Sequence, residues 1–166
     1  MTHAELCERG ERWLRSKGCR VVLREPFKAA VRTGEQPDVI GWRDGYSILI
    51  ECKTSRADFL ADRNKRFRAE NGCGMGDARL YLAPVGVISV RDLPFGWGLL
   101  EIDGKRINVA SPYPREYEMK SYGVTKKVSK CIDWRPLPFQ GDKQCETVML
   151  VSALARRQDL PVGGDA

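Results

Sequence analysis

Pro37-Asp38, then twelve intervening residues, then Glu51-Cys52-Lys53 is the part of the chain best equipped for chemistry. If the chain turns back between them, Asp38 and Glu51 converge at one end of adjoining strands. Side chains alternate along a strand, so Glu51 and Lys53 share one side and Cys52 faces the other. Paired carboxylates are hard oxygen ligands suited to Mg²⁺, which takes few protein ligands and keeps several waters. A metal held there could polarise a phosphodiester oxygen and lower the pKa of a bound water. Lys53 would orient that water or stabilise the charge that develops. The plainer alternative is a salt-bridge cluster at strand ends, which is common and nearly neutral in energy.

The neighbouring sequence supplies the elements such a site needs. Val39-Ile-Gly-Trp42, then Asp44-Gly45, then Tyr46–Cys52 reads as a strand, a two-residue hairpin turn and an apolar return strand. Residues 4–17 read as a helix with Leu6, Trp13 and Leu14 as its apolar stripe and Gly18 as its stop. A short β-branched run, 20–24, precedes Pro26. From Ser55 to about Ala69 the pattern is helical, with Ser55 as N-cap, Asp58 completing a weak capping box, and Phe59, Leu60 and Phe67 as the buried side. Residues 79–83 form another strand. A second hairpin follows with Asp103-Gly104 as its turn, and a last helix runs from Glu146 to about Arg157, docking through Val148, Leu150, Val151 and Leu154. The order α-β-β-β-α-β, a hairpin and a helix predicts an α/β fold: one mixed sheet flanked by helices. Length suits a single domain over 1–158: a core at about 4–84, an extension over 85–158 containing a long basic loop at 111–143, and a flexible tail at 159–166.

Composition narrows the function classes. The 166 residues carry 28 Lys and Arg against 22 Asp and Glu, a net charge of +6 that tilts the partner towards phosphate. His3 is the single histidine, which removes multi-histidine zinc sites, and a Ser-His-Asp triad unless His3 folds inward; an ordinary disordered terminus is the expectation. The six cysteines (Cys7, Cys19, Cys52, Cys73, Cys131, Cys145) include no CxxC pair. They are expected to pack as reduced small hydrophobes in a cytoplasmic protein. No apolar run approaches a membrane span or a signal-peptide core, so no membrane partner is expected.

On these residues the chain resembles the PD-(D/E)XK nuclease superfamily, whose αβββαβ restriction-endonuclease-like core matches the order from residue 4 to about 83. The stretches Ile50-Glu-Cys-Lys-Thr-Ser-Arg-Ala-Asp-Phe-Leu-Ala-Asp-Arg63, Arg79-Leu-Tyr-Leu-Ala-Pro84 and Gly96-Trp-Gly-Leu-Leu100 resemble its MmcB-like branch of bacteria and phages. The resemblance implies metal ligands at Asp38 and Glu51, the superfamily's lysine at Lys53, and Mg²⁺ or Mn²⁺ as cofactor. It often adds a first-helix glutamate, for which Glu8 is the choice and Glu5 the runner-up. Glu25, at the end of the first strand, is expected to be structural.

Arg56, Arg63, Lys65 and Arg66 on the helix after Lys53, with Lys126, Lys127 and Lys130, are the expected contacts to a DNA backbone. An i,i+4 pair such as Asp62–Arg66 is the blander use of that helix face. The expected activity is metal-dependent hydrolysis of DNA in phage or bacterial DNA processing or repair. The alternative is an inactive nucleic-acid-binding module on the same fold. A third reading gathers Cys7, Cys19, Cys131 and Cys145 round an iron–sulfur cluster. The sequence does not distinguish DNA from RNA, and two-strand cleavage would call for a homodimer.

Overall fold

The computed structural model describes residues 1–43, 45–62, 65, 74–111 and 139–158. Among them the order is α1 (His3–Ser16), β1 (Val21–Arg24), β2 (Val39–Arg43), β3 (Tyr46–Cys52), α2 (Arg56–Asp62), β4 (Ala78–Pro84), a one-turn 3₁₀ helix (Val90–Asp92), β5 (Trp97–Asp103), β6 (Arg106–Ser111) and α3 (Lys143–Gln158). The six strands form one sheet in sequence order. β1, β2 and β3 are antiparallel, β3, β4 and β5 parallel, and β6 returns antiparallel to β5. This is the mixed α/β sheet expected from the sequence, consistent with a restriction-endonuclease-like core.

α1 starts at Thr2, whose hydroxyl accepts from Glu5 N–H at 3.2 Å while Glu5 Oε2 accepts from Thr2 N–H at 2.7 Å. Such a reciprocal cap contributes about 1 kcal/mol and fixes the first turn. Leu6, Cys7, Gly10, Trp13 and Leu14 form the buried face. Gly10 lets the helix approach the sheet: a Cβ there would sit 3.2 Å from Val39 and 3.4 Å from Leu82.

β3 is buried along its whole length, as its unbroken apolar run requires. Alternation sends Ile48, Ile50 and Cys52 into the core beneath α1, and Leu49 into the opposite core with Tyr81, Trp97, Phe59, Cys145 and Met149. Tyr81 stacks on Trp97 at 4.4 Å and meets Phe59 edge-on at 5.0 Å.

α3 docks by charge as much as by apolar area. Glu146 accepts from Ser47 Oγ (2.8 Å), Gly76 N–H (3.0 Å), Trp42 Nε1 (3.1 Å) and Lys143 Nζ (3.0 Å). Lys143 also pairs with Asp77, which accepts from Ser47 and Gly141 N–H. Burial pushes the Asp77 carboxyl up, but Lys143 and these N–H groups outweigh it and hold its pKa below the ordinary value.

Several sequence expectations change. The last helix begins at Lys143, and Val151 and Leu154 are exposed; the docking face is Cys145, Glu146 and Met149, with Val148 half-buried. Ser111 belongs to β6, and Phe139–Asp142 is tied to Asp77 and Gly74, so the basic loop expected at 111–143 is shorter; 112–138 and the tail 159–166 lie outside the described residues. Arg43 pairs with Tyr46 across the first hairpin as expected, but Asp103 pairs with Arg106, so Gly104 and Lys105 form the second turn. α2 is described to Asp62, and the rest of the predicted helix lies outside the described residues except Lys65.

Gly76 combines φ +87° with a position where a Cβ would lie 2.6 Å from Leu49 Cβ. Gly76→Ala is expected to lower stability by more than the roughly 1–2 kcal/mol of a left-handed alanine, read as a fall in the urea midpoint at unchanged slope. A midpoint equal to the parent's would contradict this packing.

Candidate active site

The strand ends beside α1 and α2 gather the acids. Asp38 stands immediately before β2, and its Oδ2 accepts from Cys52 N–H at 2.7 Å across the β2–β3 pair. Glu51 and Cys52 close β3; Lys53 follows, its own N–H held by Leu82 O at 2.9 Å. Asp38, Glu51 and Lys53 are 8%, 2% and 4% exposed, so these charges are largely withdrawn from water. As alternation requires, Glu51 and Lys53 share a side (Nζ to Oε2 3.7 Å) while Cys52 enters the core beneath α1. They line a cleft of about 540 Å³ with His3, Glu25, Asp58 and Lys65.

Lys53 is surrounded by carboxylates: Asp62 Oδ1 at 3.3 Å and Asp58 Oδ1 at 3.9 Å join Glu51. Burial drives an ammonium towards neutrality, yet Glu51, Asp62, Asp38 and Asp58 outweigh it and raise the Lys53 pKa above its ordinary value. Lys53 is therefore a fixed cation at neutral pH and cannot serve as a base. Asp38 has the opposite problem. Burial, then the nearby Glu51 charge, raise its pKa from 3.8 to about 7, against the Cys52 N–H, His3 and Lys53, which pull it down. Two desolvated carboxylates with hard oxygens, one resisting ionisation because it is buried and beside the other, are a donor set that a divalent cation would relieve.

The remaining expected residues divide. Lys65 lines the cleft, half-exposed, and pairs with Asp62 at 2.8 Å. Arg56 is tied to Asp92 at 2.8 Å and does not line the cleft. Arg63, Arg66, Lys126, Lys127 and Lys130 lie outside the described residues. Glu8 is not brought to the cluster: it pairs with Arg12 at 3.7 Å, more than half exposed. At 100° per residue it lies roughly 160° round the helix from the centre of the buried face. The runner-up, Glu5, is used in the cap.

α1 instead contributes His3, far from a disordered terminus, with Nε2 3.1 Å from Glu25 Oε2 and 3.5 Å from Asp38 Oδ1. Glu25 accordingly lines the cleft as well. Asp62 accepts from Tyr81 Oη at 3.1 Å and faces Lys53, while Arg66, its partner in the blander use of that helix face, lies outside the described residues. The i,i+4 spacing of Asp58 and Asp62 was the available signal for a second acidic face. The iron–sulfur grouping fails, because Cys7 and Cys19 lie in the core beneath α1 and Cys145 in the core across the sheet, while Cys131 lies outside the described residues.

The raised Asp38 pKa sets the sign of a pH effect. Between about pH 4 and pH 7 the folded metal-free protein keeps a proton that the unfolded chain has released, so stability falls as pH rises through that window. Asp38→Asn is expected to flatten this slope in urea titrations with chelator present; a variant as pH-dependent as the parent would place the proton elsewhere.

Comparison with known proteins bears on this arrangement. Residues 7–65, about a third of the chain, match the family model of the archaeal Holliday junction resolvase (Hjc). That stretch contains Asp38, Glu51 and Lys53. No curated protein matches the chain. Among solved structures it is similar to the SPO1766 protein of unknown function from Silicibacter pomeroyi: 25% identity, TM-score 0.58, over 99% of this chain and 97% of that one. With the mixed sheet and the paired acids at its strand ends, the Hjc match supports the PD-(D/E)XK nuclease superfamily for this chain.

Proposed function

We propose that the protein is a divalent-metal-dependent nuclease that hydrolyses DNA phosphodiester bonds, of the MmcB-like branch and serving phage or bacterial DNA processing or repair. The observation that carries this reading is the convergence of Asp38 and Glu51 on one cleft beside a permanently charged Lys53, within the stretch similar to Hjc.

Asp38 and Glu51 would hold the metal, Mg²⁺ or Mn²⁺. When bound, it supplies an acidified water and neutralises charge on the phosphate oxygens. The Cys52 N–H fixes Asp38 Oδ2 against β3, and Oδ1, beside His3, is the oxygen left for the metal. Lys53 donates to the attacking water or to the oxygen on which charge develops, with Asp62 and Asp58 beside its ammonium. Lys65 at the rim takes a backbone phosphate, with Arg56, Arg63, Arg66, Lys126, Lys127 and Lys130 extending that contact. A homodimer would supply the second site for two-strand cleavage.

The test is incubation with supercoiled, linear, single-stranded and four-way-junction DNA in Mg²⁺, Mn²⁺ or EDTA. Products are expected with metal and none with EDTA. Lys53→Ala is expected to lower the rate about 10²–10³-fold, the usual scale for losing one such donor. Binding without cleavage under every condition would leave the inactive nucleic-acid-binding module. A second measurement isolates the ligands: saturating Mg²⁺ should raise the melting temperature of the parent and not of Asp38→Asn. Equal shifts would remove Asp38 from the metal site.

A further inference from the structure

His3, Cys7 and Glu25 bring three different donor types together beside Asp38. His3 and Cys7 stand one helical turn apart on α1, and Glu25 follows β1, where its backbone N–H bonds to Asp38 O at 3.0 Å. His3 Nε2 lies 3.4 Å from Cys7 Sγ, 3.1 Å from Glu25 Oε2 and 3.5 Å from Asp38 Oδ1. The imidazole, thiol and Glu25 carboxylate donors all fall within 4.8 Å of one another.

We propose that His3, Cys7 and Glu25 form a site for a zinc-type divalent ion, with the fourth tetrahedral position left to water. With bonds of about 2.0 Å to nitrogen and oxygen and about 2.3 Å to sulfur, tetrahedral angles give N···S edges of roughly 3.5 Å and N···O edges of roughly 3.3 Å. The His3–Cys7 and His3–Glu25 separations of 3.4 and 3.1 Å fit those edges. Hydrogen bonding accounts for the convergence poorly, since Nε2 carries one proton or one lone pair and faces three other donor atoms. A cation serves the imidazole, the thiol and the Glu25 carboxylate at once. The thiol selects the metal: thiolate favours zinc over Mg²⁺. Cys7 is 1% exposed, whereas His3 and Glu25 open onto the cleft and give an ion its way in. Binding releases the Cys7 proton to solvent. Three protein ligands leave one position for water, and the ion would clamp the start of α1 to the end of β1. The site does not need the nuclease reading, since its ligands are distinct from the Asp38–Glu51 pair.

Cobalt(II) titration of the full chain, stripped with chelator, tests it. One equivalent should produce a thiolate-to-cobalt charge-transfer band in the near ultraviolet and intense tetrahedral bands in the visible, both displaced by Zn²⁺. Cys7→Ser should abolish the near-ultraviolet band, and His3→Ala the tetrahedral visible bands; circular dichroism confirms that each variant is folded. Glu51→Gln and Lys53→Ala, chosen to stop cleavage, should keep both bands. Absence of the bands from the folded parent, or their persistence in both Cys7→Ser and His3→Ala, overturns the proposal and leaves any Mg²⁺-dependent cleavage standing. Bands without cleavage would sink the nuclease reading alone.

Discussion

Four carboxylates compete for one buried ammonium, and that imbalance organises this end of the molecule. Lys53 has no room to leave: its backbone is fixed to β4, and Glu51, Asp58 and Asp62 stand within 3.9 Å of its nitrogen. Burial and then the Glu51 charge raise the Asp38 pKa to about 7, and the single charge of Lys53 offsets them only in part. Removing one partner of a buried charge group leaves the others uncompensated, which costs more than the group contributes when intact. The cluster is a poor source of stability and a good receptor for further positive charge.

The scaffold pays for this concentration with an apolar sheet and a second polar centre. Ser47 and Glu51 stand at opposite ends of the side of β3 that faces away from α1, with Leu49 between them. At the Ser47 end, Asp77, Lys143 and Glu146 satisfy one another and anchor α3. At the Glu51 end the acids are in excess. One strand thus carries a hydrogen-bonded network that holds structure together and an acid-rich cluster open to a cleft.

What the sequence discloses follows from how local the signal is. The β2–β3 hairpin and the shared side of Glu51 and Lys53 depend on turn chemistry and period-2 alternation, and both are legible from a dozen residues. Glu8 fails for a reason equally present in the sequence: Leu6, Trp13 and Leu14 set the phase of α1, and Glu8 lies opposite. Thr2-His3-Ala4-Glu5 is likewise a capping box that starts the helix at His3. Asp62 was less accessible, because its role depends on Tyr81 and Lys53, brought to it by β4 and β3. The docking of α3 was hidden for the same reason: Glu146 matters through Ser47, Trp42 and Gly76, all distant in sequence. Only Cys145 and Met149 mark its buried side by spacing.

The Thr2 cap also decides where the chain enters. Because the first helical residue already reaches the cleft, anything joined ahead of Met1 emerges at its mouth, beside His3 and Glu25. An affinity tag fused there, above all one made of histidines, would hang over the acidic opening and offer it ligands of its own.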